Sequence, residues 1–184
     1  MGFLVDGELF SWEVTKKHAK EEDKIVFAKE IVNEFQEVGF LRLVDIPDFE
    51  DSELLESIKY YYGRSKEEKM KLALKRFDNN NENEYRGYMP LVKNLPDFKE
   101  QTDFGNHSIE PPAKNAPEYE KYLKERNNYP SEKFQKSIEK FYEIYHNCAV
   151  LILEHLAIGI GEKEDFFTKV FFEEGQDQNL RNGL

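Results

Sequence analysis

The side chains able to do acid–base, nucleophilic or metal chemistry are few enough to weigh one by one. There are four histidines and one cysteine. His18 stands in a basic, polar stretch and reads as solvated. His107 lies in a loop, four residues after Asp103 and three before Glu110. Those three could form a metal site, but a surface-loop histidine is the plainer reading. His146 and His155 fall on one long helical pattern; His155 borders its apolar stripe, where a satisfied core or lobe-interface histidine is expected. Glu143-Ile144-Tyr145-His146 has the Glu-x-x-His spacing of di-iron helical bundles, which puts both side chains on one face, but that architecture needs the motif twice plus two further glutamates. It occurs once. Cys148 sits mid-helix on the apolar stripe, with no neighbouring base or helix N-terminus to make it a thiolate, so packing is its expected job. No phosphate-cradling Gly-rich loop, nucleophile elbow or Cys-x-x-Cys occurs. By residues alone, no complete active site is visible.

The elements that must position these groups follow from periodicity. Ile25, Ala28, Ile31, Val32, Phe35 and Val38 recur at three- and four-residue spacing, which predicts a helix over 21–38 stopped by Gly39. Phe40 to Val44 reads as a short strand. A second helix opens at Asp51 or Ser52 and runs to Gly63. Ser65 and Glu68 have the spacing of a capping box and predict a short helix to about Leu74. From Asn79 to Pro130 periodicity fades, and six of the seven prolines fall there. This predicts loops and short strands, a long irregular stretch for a domain of this size. Ser131 then caps the longest helix, about 132–158, with Phe134, Ile138, Phe141, Tyr145, Cys148, Ile152 and His155 or Leu156 as its stripe. Gly159 and Gly161 close it, and a last helix is expected over 163–172.

Composition limits the partners. The chain has 184 residues and a formal net charge of −11. That charge argues against nonspecific nucleic-acid binding and against a polybasic membrane-surface role. No run approaches the length of a membrane span, two acids interrupt the apolar start at Asp6 and Glu8, and a single cysteine forms no intrachain disulfide. A cytoplasmic protein is expected. The hydrophobic residues are 39% of the total and the charged ones 34%, which suggests a thin core for this length.

The order of landmarks says more than any one of them. Val38-Gly39-Phe40-Leu41-Arg42-Leu43 follows a helix, Ser65-Lys66-Glu67-Glu68-Lys69 follows an aromatic-ended helix, and Tyr85-Arg86-Gly87-Tyr88-Met89-Pro90 comes next. After these stand Asp97 to Gly105, Asn128-Tyr129-Pro130 and the long amphipathic helix. The series resembles the N-terminal region of the isopenicillin N synthase-like iron(II)/2-oxoglutarate-dependent oxygenases, over roughly Glu21 to Arg181.

The resemblance implies an α+β fold: a helix-rich N-terminal lobe with a few short strands, normally packed on a double-stranded β-helix (jelly-roll) core. It divides the chain into 1–20, a segment of uncertain assignment, 21–181, the lobe, and 182–184, a truncated end. In the family, iron is held by His-x-Asp and a distal His, and an Arg-x-Ser holds 2-oxoglutarate. Here the residues two after each histidine are Lys20, Ile109, Cys148 and Ala157, and no arginine is followed two places on by serine. No catalytic, metal or cofactor residue is therefore expected in this chain, nor iron or 2-oxoglutarate bound by it alone. The resemblance places Arg86 and Tyr88 near the substrate mouth of a complete enzyme; the plainer reading is a turn in which Gly87 supplies backbone freedom. The expected partner is the absent catalytic core or a full-length paralogue, and the alternative is a stand-alone, non-catalytic interaction module. The crowded Phe166, Phe167, Phe171 and Phe172 are the expected orphaned surface.

Overall fold

Glu21–Glu37 forms helix α1, as the stripe predicts, with Ala28 and Ile31 fully buried and Gly39 beyond its end at φ 86°. The computed structural model describes residues 9–11, 21–92 and 99–172; His18 and Phe3 to Asp6 lie outside them, as do the side chains of Phe171 and Phe172. Chain contacts divide the described residues into two units, 9–49 with 143–172 and 50–142.

In the first unit, strand β1 (Leu9–Ser11) pairs in parallel with β2 (Arg42–Val44), Phe10 opposite Leu43. The observed β2 is shorter than the expected 40–44. The Phe27 ring stands edge-on to Phe10 at 5.5 Å and to His155 at 5.6 Å. The long helix α5 (Glu132–Gly159) supplies Cys148 and Leu151, which pack with Leu43, Ile46 and Ile144. Near its end a Cβ on Gly159 would stand 2.5 Å from the Ala28 carbonyl oxygen. Two small residues therefore let the backbones of α1 and α5 touch.

The second unit contains α2 (Asp51–Tyr62), α3 (Lys66–Met70), β3 (Tyr88–Met89), β4 (Gln101–Thr102), α4 (Glu118–Leu123) and the first turns of α5 (Glu132–Gly159). Its core is aromatic. Tyr61 stacks on Phe134 at 5.2 Å, Phe104 stacks on Tyr129 at 5.4 Å, and Ala73, Tyr88, Met70 and Ile138 complete it. The Ser65 capping box is present, Ser65 Oγ accepting from the Glu68 N–H and Glu68 accepting from the Ser65 N–H. Ser65→Ala is expected to lower stability by about 1 kcal/mol, read as a lower urea midpoint at unchanged m value.

Three elements differ from the sequence expectation. Helix α3 ends at Met70, not near Leu74, because the next backbone groups are engaged elsewhere: Tyr88 N–H donates to Leu72 O at 2.9 Å and Leu74 N–H to Tyr88 O at 3.1 Å. A helix through Leu74 would take those groups away from the bridge. Helix α4 is not among the expected elements, since two turns are too short to show periodicity. The last helix, α6 (Phe166–Phe172), begins three residues later than expected, after a turn in which Phe166 N–H reaches Lys163 O. The long stripe departs from the expectation at one position, and Leu151 and Ala157 are buried beside it. Phe134, Phe141, Cys148 and His155 are buried, each seven residues from the next, while Tyr145 is 49% exposed.

Among the described residues the strands form only two two-stranded sheets. The fold they form is α+β and helix-rich, with no jelly-roll among the described residues. No described helix is long and apolar enough to cross a membrane.

Candidate functional site around the Arg-Gly-Tyr turn

Residues 84–88 turn sharply, and Gly87 is the reason they can. Its φ is 151°, and a Cβ there would stand 2.6 Å from Leu72 O. Both conformation and space require glycine. The turn is held by one carboxylate. Glu125 accepts from the backbone N–H groups of Glu84 (2.7 Å), Tyr85 (2.9 Å) and Arg86 (2.9 Å). Asn83 adds two bonds, donating to the carbonyls of Arg86 and Arg126.

Arg86 is 4% exposed. Its Nη1 donates to Glu125 O at 2.6 Å and Asn106 O at 3.4 Å, and its Nη2 to Leu123 O at 2.5 Å. Leu123 is the last residue of α4, so the guanidinium satisfies a carbonyl that the helix leaves open. Burial lowers the arginine pKa, and the Glu125 charge opposes that. The group is thus a buried cation held mainly by carbonyl oxygens. Its plane lies against the backbone of Gly105, whose Cα carries no side chain to obstruct it.

Tyr88 points into a second polar cluster. Its hydroxyl donates to Glu100 at 2.6 Å, and Lys69 Nζ donates to the same carboxylate at 2.7 Å and to Tyr62 O at 3.1 Å. Lys69 is 7% exposed and its ammonium lies 5.5 Å from the Tyr88 ring centre. A buried ammonium needs such a partner, because its desolvation is otherwise uncompensated. Burial opposes ionisation of Glu100, but the bonds from Lys69 and Tyr88 outweigh it and hold the carboxyl below its usual range. Burial, then the bond to Glu100, pushes the Tyr88 phenol up.

As placed, then, Arg86 and Tyr88 are close in sequence but face different clusters. Neither polar group is idle: one clamps carbonyls, the other anchors Glu100. Sequence reasoning singled out the turn and missed Glu125, Asn83, Lys69, Glu100 and Gly105, which fix it. Their only sequence signal was that Lys69, Glu100 and Gly105 fall within the ordered landmarks.

The other candidates take simple positions. His155 is buried, with Nδ1 2.9 Å from Leu151 O, a core histidine. His107 is half-buried, its ring edge-on to Tyr142 at 5.7 Å. His146 is half-buried and Glu143 exposed on α5. Cys148 is buried. Among the described residues no three His, Cys, Asp or Glu side chains converge as a metal ion would require, so Asp103, His107 and Glu110 are not brought together for one. The iron that the resemblance implies thus finds no fitting ligand set in them.

Solved structures share this fold. A C-terminally truncated protein from Neurospora crassa, in apo form, matches with a TM-score of 0.65 at 20% identity, over 89% of this chain and 56% of that one. The full-length form of the Neurospora crassa protein in complex with alpha-KG matches at 0.63 and 20%, over 89% and 46%. A protein described as a 2OG-Fe(II) oxygenase family member from Caulobacter crescentus matches at 0.65 and 20%, over 89% and 51%. The chain spans about half the length of these structures. No curated protein sequence matches it. Residues 12–132 match the family profile described as non-haem dioxygenase in morphine synthesis, N-terminal; with more than half of its length inside that match, the chain belongs to this N-terminal family of non-haem dioxygenases.

Proposed function

We propose that this chain serves as the N-terminal lobe of an iron(II)/2-oxoglutarate-dependent oxygenase acting on a small organic molecule, and that these 184 residues do not turn over substrate by themselves. The family match over 12–132 carries the first half of the reading. The second half rests on chemistry. A facial triad needs two imidazoles and a carboxylate with open positions beside them, and the sequence contains no His-x-Asp, His-x-Glu or Arg-x-Ser. Iron and 2-oxoglutarate then belong to a catalytic core, supplied as further chain or by a full-length paralogue. In that complete enzyme the Arg86–Tyr88 turn forms part of the wall beside the substrate mouth. Arg86 acts there as a positioning residue, because its guanidinium is committed to backbone carbonyls. The cytoplasm is the compartment that suits a chain whose single cysteine is buried and forms no intrachain disulfide.

The test is turnover. Purified chain given iron(II), 2-oxoglutarate and ascorbate is expected to form no succinate above a protein-free blank. Succinate that rises with chain concentration and disappears with a chelator would overturn the reading.

A further inference from the structure

One surface feature is built by the same clamp and has no use in the fold's core. Tyr119, Tyr122 and Leu123 occupy positions i, i+3 and i+4 of α4 and therefore share a face. With Glu84 and Tyr85 they line an open slot of about 480 Å³. Tyr85 is 57% exposed and Tyr119 52%. Single exposed tyrosines are ordinary; three around one slot, on two segments tied together, are not. Glu125 holds the backbone of residues 84–86, and Arg86 holds the carbonyl of Leu123. The walls are thus preorganised, which lowers the entropic cost of binding.

Among the residues that line the slot the charged one is an acid, Glu84. Glu118 accepts from the Tyr122 hydroxyl at 2.8 Å and forms no ion pair among the described residues. Glu84 lies on the rim, shared with Lys75 at 3.0 Å. Of the lysines on and just after α4, Lys124 is paired with Glu120 at 2.8 Å, and Lys121 lines the neighbouring cleft with Glu118 and Tyr122 and is not among the residues that line the slot. Consistent with that field, the bond to Glu118, then burial, then the charges of Glu118, Glu84 and Glu125 push the Tyr122 phenol up. Aromatic faces attract cations through their quadrupole, and neighbouring carboxylates add to the attraction while disfavouring anions.

We infer that the slot between Tyr85 and the Tyr119–Leu123 face binds the head of a small organic cation, an alkylammonium group. The site is independent of the oxygenase reading, since it needs neither iron nor a catalytic core.

Tetramethylammonium chloride is the probe, titrated against sodium chloride at equal ionic strength while the tyrosine ring resonances of the whole chain are followed by NMR. Saturable shifts are expected at Tyr85, Tyr119 and Tyr122. The neutral near-isostere tert-butanol is expected to bind about five-fold more weakly, the size of one exposed cation–π contact. Tyr119→Leu keeps apolar bulk and is expected to weaken the ammonium about five-fold; Tyr119→Phe restores it, and an unchanged Tyr61 resonance shows that the fold persists. Equal binding of tert-butanol would make the slot a plain apolar dent and overturn the proposal. So would shifts confined to other tyrosines, an absence of saturation, or a Tyr119→Leu variant that binds as the parent does.

Discussion

Gly105→Ala destabilises residues 50–142 by on the order of 4 kcal/mol, and adding Arg86→Ala to it costs nothing more than Arg86→Ala alone. A Cβ on residue 105 would stand 2.1 Å from Arg86 Cζ and 2.3 Å from Nε. The overlap falls on the end of a long side chain, so either the guanidinium or the backbone must move. The backbone is pinned, because Asn127 accepts from the Gly105 N–H and donates to its carbonyl, both at 2.8 Å. The guanidinium therefore leaves, and the carbonyls of Leu123, Glu125 and Asn106 lose their donor. Hydrogen bonds to a charged group contribute about 1.5–3 kcal/mol each. The sign is diagnostic, since replacing a glycine of ordinary conformation by alanine otherwise stabilises by about 0.4–1 kcal/mol through the unfolded chain. In the double variant the new methyl enters space that the arginine has vacated, so a mutant cycle in urea should show about 4 kcal/mol of coupling, the whole of the single Gly105→Ala cost. Arg86→Lys does not restore stability, because an ammonium cannot present two nitrogens to separate carbonyls in one plane. A Gly105→Ala chain as stable as its parent, or single effects that simply add, would show that Arg86 does not lie against residue 105.

The same cluster shows which features of this fold a sequence discloses. Helices α1, α2 and α5 were legible because their cause is local: apolar spacing marks the buried face, and Gly39 and Gly63 stand where the helices stop. The Ser65 box was legible for the same reason, its two partners lying three residues apart. What fixes the Arg86 turn is not local. Glu125 reaches back 39 residues to the Arg86 N–H, and Lys69 meets Glu100 across 31. Side-chain bonds to distant backbone leave no periodic trace, and an acid in an irregular stretch reads as a solvated surface charge. The asparagine tract at 79–83 reads as low complexity. Yet Asn81 caps the carbonyls of Met70 and Ala73 and Asn83 those of Arg86 and Arg126. Those bonds show how the described part of this irregular segment around 79–92 satisfies its polar backbone: short amide side chains take the place of ladders. Gly105 is the extreme case, since nothing in its neighbours says that a guanidinium will cross it.

Alkaline pH is expected to unfold the second unit in one cooperative step. Three phenols belong to its core or edge it. Burial pushes Tyr61 up to about 12 and Tyr129 up to about 12, and it raises Tyr88 as well. In the unfolded chain a tyrosine ionises near 10. Below about pH 10 both states keep the proton, and stability does not depend on these groups. Between about 10 and about 12 the unfolded state releases protons that the folded state still holds, so stability falls as pH rises. For Tyr61, which is 1% exposed, the loss approaches about 2–3 kcal/mol at the upper end of that window. Together the three amount to several kcal/mol, a large share of the roughly 5–15 kcal/mol available to a domain. Absorbance at 295 nm should then rise in the same narrow pH interval in which near-UV circular dichroism is lost. Tyr61→Phe separates cause from correlation. It gives up the bond from the Tyr61 hydroxyl to Thr102 Oγ1, so the variant starts about 1 kcal/mol less stable at neutral pH. It also carries one fewer phenol to ionise, so its stability declines less steeply above pH 10. Phenolates that appear gradually while the near-UV signal stays intact to pH 12 would show that the buried hydroxyls are not what couples this core to protons.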